Sequence, residues 1–120
     1  MDIDKDLLEL EKGFWTGGPD HYRKHLDETC LVVFSEMAGV MGREEIASMV
    51  GKTIWKDLKV EPKAMVRPTP DTAVIAYHAS ATRENGEAYS ANVGSGYVKR
   101  DGELKMAFHH QTPAKTDKKA

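Results

Sequence analysis

At 120 residues and 13.4 kDa the chain is the length of one domain. Its folded surface should be about 6,500 Å² against roughly 19,000 Å² for the open chain, enough burial for a core without disulfide or metal staples. A composition 40% hydrophobic and 30% charged excludes bulk disorder, and a net charge of −2 gives no phosphate-attracting field, which argues against nucleic acid as a partner.

The chain opens on Asp2, Asp4, Asp6, Glu9 and Glu11, the opposite of the basic, apolar start of a secretory leader. The expected home is the cytoplasm. Ile3, Leu7, Leu8 and Leu10 recur near helical spacing and continue to Phe14 and Trp15, with acids at the positive end of the helix dipole. Gly17 and Gly18 stop that helix, and Pro19 opens a second, short one carrying Tyr22 and Leu26.

Cys30 to Phe34 is apolar on both faces and reads as a buried strand. Cys30 is the only cysteine, so it forms no intrachain disulfide and is expected to be a buried, inert thiol. Ser35 to Gly42 is expected to be irregular, with Gly39 and Gly42 as breaks. Arg43 to Val50 reads as a third helix with Ile46, Met49 and Val50 inside, ended by Gly51.

Four strands follow: about Trp55 to Arg67, Thr72 to Arg83, Ala88 to Arg100 and Glu103 to Thr112. The longest apolar runs, Cys30 to Phe34 and Ala73 to Tyr77, are too short to span a bilayer, so no membrane is expected. Asn85-Gly86 and Asp101-Gly102 are hairpin signals, because a type I′ turn needs positive φ at both central residues. Helices followed by a meander imply an α+β domain with helices on one face of the sheet. Lys- and Thr-rich residues 114–120 read as a flexible tail.

The last two strands carry a pattern, Gly-x-[Trp/Leu]-x-x-x-x-His-x-x-[Ser/Thr]. The matching text here is Tyr97 to Gly102, then Leu104, Met106, Phe108, His110, Gln111 and Thr112. With the helix pair, short strand, third helix and meander, this resembles the nuclear transport factor 2-like (cystatin-like) superfamily. More narrowly it is similar to the SnoaL-like group and the domain of unknown function 4440. The association domain of calcium/calmodulin-dependent kinase II ends in a similar segment. The resemblance implies one domain over residues 1–113, a cone. In it a curved, mostly antiparallel sheet holds three helices on its concave face around a pocket, and many members dimerise through the outer face.

Side chains alternate along a strand, so each strand offers two faces. In the segment Ala88 to Arg100, Gly94 and Gly96 share a face with Ser90, Asn92 and Val98. Two glycines cannot fill a core, so that face is expected to be concave, with Asn92 in the pocket. The face bearing Tyr89, Val93 and Tyr97, continued by Met106 and Phe108 in the last strand, is expected to be convex and covered in a homodimer. Lys105, Ala107, His109 and Gln111 would then point inward. A one-residue slip would reverse every assignment.

The candidate site follows from that parity. Trp15, Tyr22, Met37 and Trp55 are expected to wall the pocket, because indole N–H groups at segment ends need partners. His78, Asn92, His109 and Gln111 would orient a ligand's polar atoms. His109 could equally be a general base, or a structural histidine. Glu36, after the buried strand, sits where the resemblance places a carboxylate base in steroid isomerases and cyclases; the plainer reading is an exposed loop acid. The tyrosine and second acid of that isomerase would fall near Leu10 and Gly94, which disfavours steroid isomerisation. No Cys/His array or HExxH occurs, so neither a metal nor another cofactor is expected.

Three functions are left open. The first is binding of a small, largely apolar molecule. The second is proton transfer (isomerisation, dehydration or cyclisation) with Glu36 or His109 as base. The third is a non-catalytic dimeric scaffold.

Overall fold

The computed structural model describes residues 4–50 and 53–114. Ile3, Gly51 and the tail beyond Ala114 lie outside the described residues. Helix α1 (Lys5–Thr16) begins where Asp4 turns extended and its Oδ1 accepts the N–H groups of Asp6 and Leu7 at 2.9 and 3.2 Å. That cap satisfies two of the donors a helix start leaves orphaned. Gly18, at φ +74°, makes the left-handed exit and hands the chain to Pro19, the first residue of α2 (Pro19–His25). Arg23, Lys24 and His25 in its last turn suit the negative end of the dipole.

Strand β1 (Leu26–Phe34) follows without a linker. The segment expected to be irregular contains a strand. β2 (Met37–Gly42) folds back on β1 across Ser35 and Glu36, pairing Met37 with Phe34, Gly39 with Val32 and Met41 with Cys30. Two glycines read as breaks in isolation, but the ladder offered by β1 overrides local preference. In α3 (Arg43–Met49), Ile46 and Ala47 are buried, and Met49, expected inside, is 58% exposed. Ala47 completes the inner stripe because it and Val50 flank Ile46 on one side of the helix.

The four long strands form as expected: β3 (Lys56–Val66), β4 (Thr72–Thr82), β5 (Ala88–Arg100) and β6 (Glu103–Pro113). All six strands make one curved, open sheet in the order β2-β1-β6-β5-β4-β3. β1 runs parallel to β6, and every other neighbouring pair is antiparallel. Asp101 and Gly102 have φ of 51° and 82°, the primed turn expected between Arg100 and Glu103. The other hairpin differs: Thr82 pairs with Ala88 across a longer loop, and there only Gly86 has positive φ, at 91°. Asn85 instead accepts the Glu87 N–H through Oδ1 at 2.9 Å, a side-chain turn.

The expected parity of β5 is reversed. Ala91, Val93, Ser95 and Tyr97 face the helices and are buried, paired with Ala79, Tyr77, Ile75 and Ala73 of β4. Gly94 and Gly96 face outward; an added Cβ at Gly94 would meet nothing within 4 Å, and at Gly96 only Phe108. The concave face must supply the bulk that covers three helices, so the row of larger side chains lies inside. The residues expected to form a convex dimer surface therefore divide. Val93, Tyr97 and Met106 are core, Tyr89 is half-buried against it, and only Phe108 is outside, paired with Gly96.

β6 changes parity part-way. Met106 pairs with Tyr97 while Phe108 pairs with Gly96, so Ala107 is a bulge. The extra residue lets Met106 and His109 share the inner face, although three positions apart they would otherwise oppose each other.

Candidate functional site

The helices leave part of the inner face uncovered, and a cavity of about 220 Å³ remains there. Leu26, Cys30, Val32, Ile46 and Met106 supply apolar floor. Trp15, Tyr22, Phe34, Trp55 and Tyr89 supply aromatic wall. Trp15 and Trp55 meet edge to face at 5.4 Å between centroids, and Trp55 stacks on Tyr89 at 5.1 Å. The Trp55 N–H donates to the Trp15 carbonyl at 3.0 Å, tying the end of α1 to the entry of β3. Cys30 is buried, and burial pushes its thiol up to about 12, so it is a floor group and not a nucleophile at neutral pH.

The polar end of the cavity is a hydrogen-bonded string. Tyr89 Oη donates to Gln111 Oε1 at 2.7 Å, and Gln111 Nε2 lies 2.9 Å from His109 Nε2. His109 Nδ1 lies 2.9 Å from Ser95 Oγ, which donates to Glu11 Oε1 at 2.9 Å. A hydroxyl has one proton, and that of Ser95 goes to Glu11. His109 Nδ1 must then carry its own proton toward Ser95, leaving Nε2 as the acceptor that receives the Gln111 amide. Burial holds the imidazole down at about 4, with His110 a smaller cause, so the ring is neutral at pH 7.

Glu11 is fully buried at the inner end of the string. Besides Ser95 it accepts from Tyr77 Oη at 2.6 Å and from Tyr97 Oη, and Tyr77 Oη accepts the Trp15 indole N–H at 3.0 Å. Burial raises the carboxyl's pKa, and the three hydroxyl donors pull it back. The tyrosines are pushed well up, first by burial and then by Glu11. Among the described residues no buried side-chain polar atom lacks a partner.

Of the residues singled out from the sequence, Trp15, Tyr22, Trp55, His109 and Gln111 meet on the wall of this one cavity. His78 and Asn92 do not: they bond to each other at 3.2 Å on the outer face of β4 and β5. Reversed parity is the reason. Met37 is 42% exposed and lies off the cavity wall. Glu36 is exposed in the β1–β2 turn, bonded to Ser35 Oγ at 3.1 Å, and is not among the lining residues.

Glu11, Tyr77, Ser95, Tyr97, Tyr89 and Arg83 are site residues that sequence reasoning missed. Glu11 carried a signal. It lies four residues after Leu7 and three before Phe14, at the centre of the apolar stripe of α1, where an acid must find buried donors. Counting it with the acids of the first turn hid this; Asp6 is the acid there.

Among the described residues no group of three His, Cys, Asp or Glu side chains could hold a metal ion. Nor is any helix there long and apolar enough to cross a membrane.

No family model matches the chain, and no curated protein matches it. Solved structures do. A candidate ketosteroid isomerase from Parabacteroides distasonis superposes with a TM-score of 0.76 at 14% identity, over 95% of this chain and 89% of that one. An NTF2-like protein of unknown function in nutrient uptake from Rhodospirillum rubrum gives 0.76 at 13% identity, over 94% and 100%. An NTF2-like protein from Cytophaga hutchinsonii gives 0.70 at 16% identity, over 95% and 100%. The chain has the nuclear transport factor 2-like fold.

Proposed function

We propose that the chain binds a small, largely apolar organic molecule in the cavity, with the molecule's polar atom received at His109 and Gln111. One observation carries this reading: a cavity of about 220 Å³ with aromatic walls and a single oriented polar string. Apolar pockets with a few placed polar groups are the usual form of small-molecule sites. A 150 Å³ apolar cavity holds benzene, so this one suits roughly nine to twelve non-hydrogen atoms. The SnoaL-like resemblance of the last two strands supports the same reading.

Both tryptophans of the chain lie on the wall, so their fluorescence reports occupancy directly. Native mass spectrometry of freshly purified protein should show a co-purifying small molecule. Titration with a panel of that size should give saturable quenching. No adduct and no saturable response across the panel would leave the reading without support.

A second reading, proton transfer, has His109 as its base. Its specific support is the string that leaves Nε2 of a neutral imidazole unprotonated on the cavity wall, held by the Gln111 amide that a substrate would have to displace. Glu36 has no comparable support. An α-proton exchange assay in D₂O with small ketones would test it, with exchange expected in the native chain and abolished in His109→Ala.

We also infer a homodimer, through the outer sheet face and on residues other than those first expected. Val40, Leu31, Phe108, Gly96, Val74 and Val66 are paired in turn, one from each strand, and make a continuous row across the sheet. Val40 is 68% and Val66 56% exposed, and an apolar row of that kind suits a covered surface.

A further inference from the structure

Arg83 lies on the cavity wall beside the two aromatic rings of the mouth. Its backbone is held by the β4–β5 hairpin: the Arg83 N–H donates to the Glu87 carbonyl at 2.8 Å, and the Gly86 N–H donates to the Arg83 carbonyl at 2.9 Å. From that anchor the guanidinium lies 4.9 Å from the centroid of Trp55 and 5.2 Å from that of Tyr89. A guanidinium over ring faces is held by the ring quadrupoles and by dispersion, without using its hydrogen-bond donors.

Those donors are largely unused. Glu87 is its one anionic partner among the described residues, with Oε1 3.6 Å from Nε, and that carboxylate is 70% exposed. A contact so long and so exposed is weak. Among the described residues, the terminal guanidinium nitrogens have no protein partner for their hydrogen bonds. Among the described residues that line the cavity Arg83 is the one cation, and Glu36 is the other charged side chain acting on Tyr89. A planar fork of N–H groups, pre-positioned by stacking, matches a carboxylate in two-point geometry.

We propose that Arg83 recognises an anion and that the ligand of this cavity is a carboxylate of roughly nine to twelve non-hydrogen atoms in all, with an apolar, ring-bearing body. This rests on the reading of the cavity as a small-molecule site and narrows its ligand class. The apolar body lies between Trp15, Trp55 and the floor, and the carboxylate emerges at the mouth against the guanidinium.

Hydrocinnamate, its alcohol and its amine share one body and differ in head-group charge. Titrating each by tryptophan fluorescence or calorimetry, the native chain should bind the carboxylate about tenfold or more tighter than the alcohol. That preference should shrink as salt rises from about 0.02 to 0.5 M, since the contact is partly exposed. In Arg83→Gln the ratio should fall to about one, and Arg83→Lys should keep part of it. A native chain that binds the alcohol as well as the carboxylate, or prefers the amine, overturns the proposal and leaves the cavity reading standing. A carboxylate preference unchanged in Arg83→Gln also overturns it. If none of the three binds, this proposal fails, and the cavity reading is decided by the wider panel. The comparison in the native chain needs no variant, so a misfolded mutant cannot blur the outcome.

Discussion

Glu11 is the residue on which the interior turns. Its carboxyl gathers donors from β4 and β5 and joins α1 to the sheet at the point where the cavity begins. Removing it would leave the hydroxyl protons of Tyr77, Tyr97 and Ser95 without their acceptor in the core, each costing about 1–3 kcal/mol. Glu11→Ala is therefore expected to lose ~3 kcal/mol or more, measured by urea unfolding. The pH dependence has two opposing parts. His109 is held at about 4, His25 also at about 4, and His21 is lowered, all first by burial. Such histidines bind fewer protons folded than unfolded, so stability falls as pH drops from about 6.5 toward 4.

Glu11 works the other way. Its raised pKa means that the folded state binds the extra proton, a contribution present below the unfolded value and lost as pH rises through the folded one. The histidines outnumber it, so unfolding free energy should be lower at pH 5 than at pH 7 by ~1 kcal/mol or more. In Glu11→Gln that loss should steepen, because the opposing contribution is gone. A flat or inverted profile between pH 5 and pH 7 would contradict the burial of these imidazoles.

At the scale of elements, α1 and α2 meet over Gly13. A Cβ there would lie 2.1 Å from the His21 ring, which is fixed by Nε2 donating to the Leu10 carbonyl at 3.0 Å. Alanine inside a helix normally gains ~1 kcal/mol over glycine. Here the sign should reverse: Gly13→Ala is expected to destabilise by ~1–2 kcal/mol. In a His21→Ala background the same change should stabilise, and that double-mutant comparison isolates the contact. A stabilising Gly13→Ala in the native chain would show that the ring is free to move aside. The β6 bulge belongs to the same scale. Were Ala107 paired in regular alternation instead of bulged, Phe108 would point at the helices and His109 outward, and the cavity would lose its polar end.

For the whole molecule, the outer sheet face is the remaining apolar feature. Its cross-strand row spans six strands, about 24 Å at the usual strand spacing. If two copies join there, light scattering after size exclusion should give twice the chain mass near 100 µM. Leu31→Arg, at a 44% exposed position in the middle of that row, should return a folded monomer whose melting temperature no longer depends on protein concentration. A native chain monomeric at that concentration would rule the face out as a self-association surface.

Much of this architecture is written locally. Asp4, Gly17-Gly18 and Pro19 mark the first helix and its successor, and Asp101-Gly102 marks a turn whose backbone tolerates few other pairs. Trp15, Tyr22, Trp55, His109 and Gln111 could be picked out because large aromatics and strand-borne polar groups are rare enough to stand out. β2 could not, since Met37–Gly42 is a strand only because β1 offers it a ladder. The face of β5 could not either. Alternation defines two rows, Tyr89–Tyr97 and Ser90–Val98, but not which one the helices cover, and the glycines argued for the wrong one. Periodicity along a chain is a local property and was legible. Which side of a sheet is inside, and whether a bulge inverts it halfway, depends on what packs against it from distant segments, and only the assembled tertiary structure decides that.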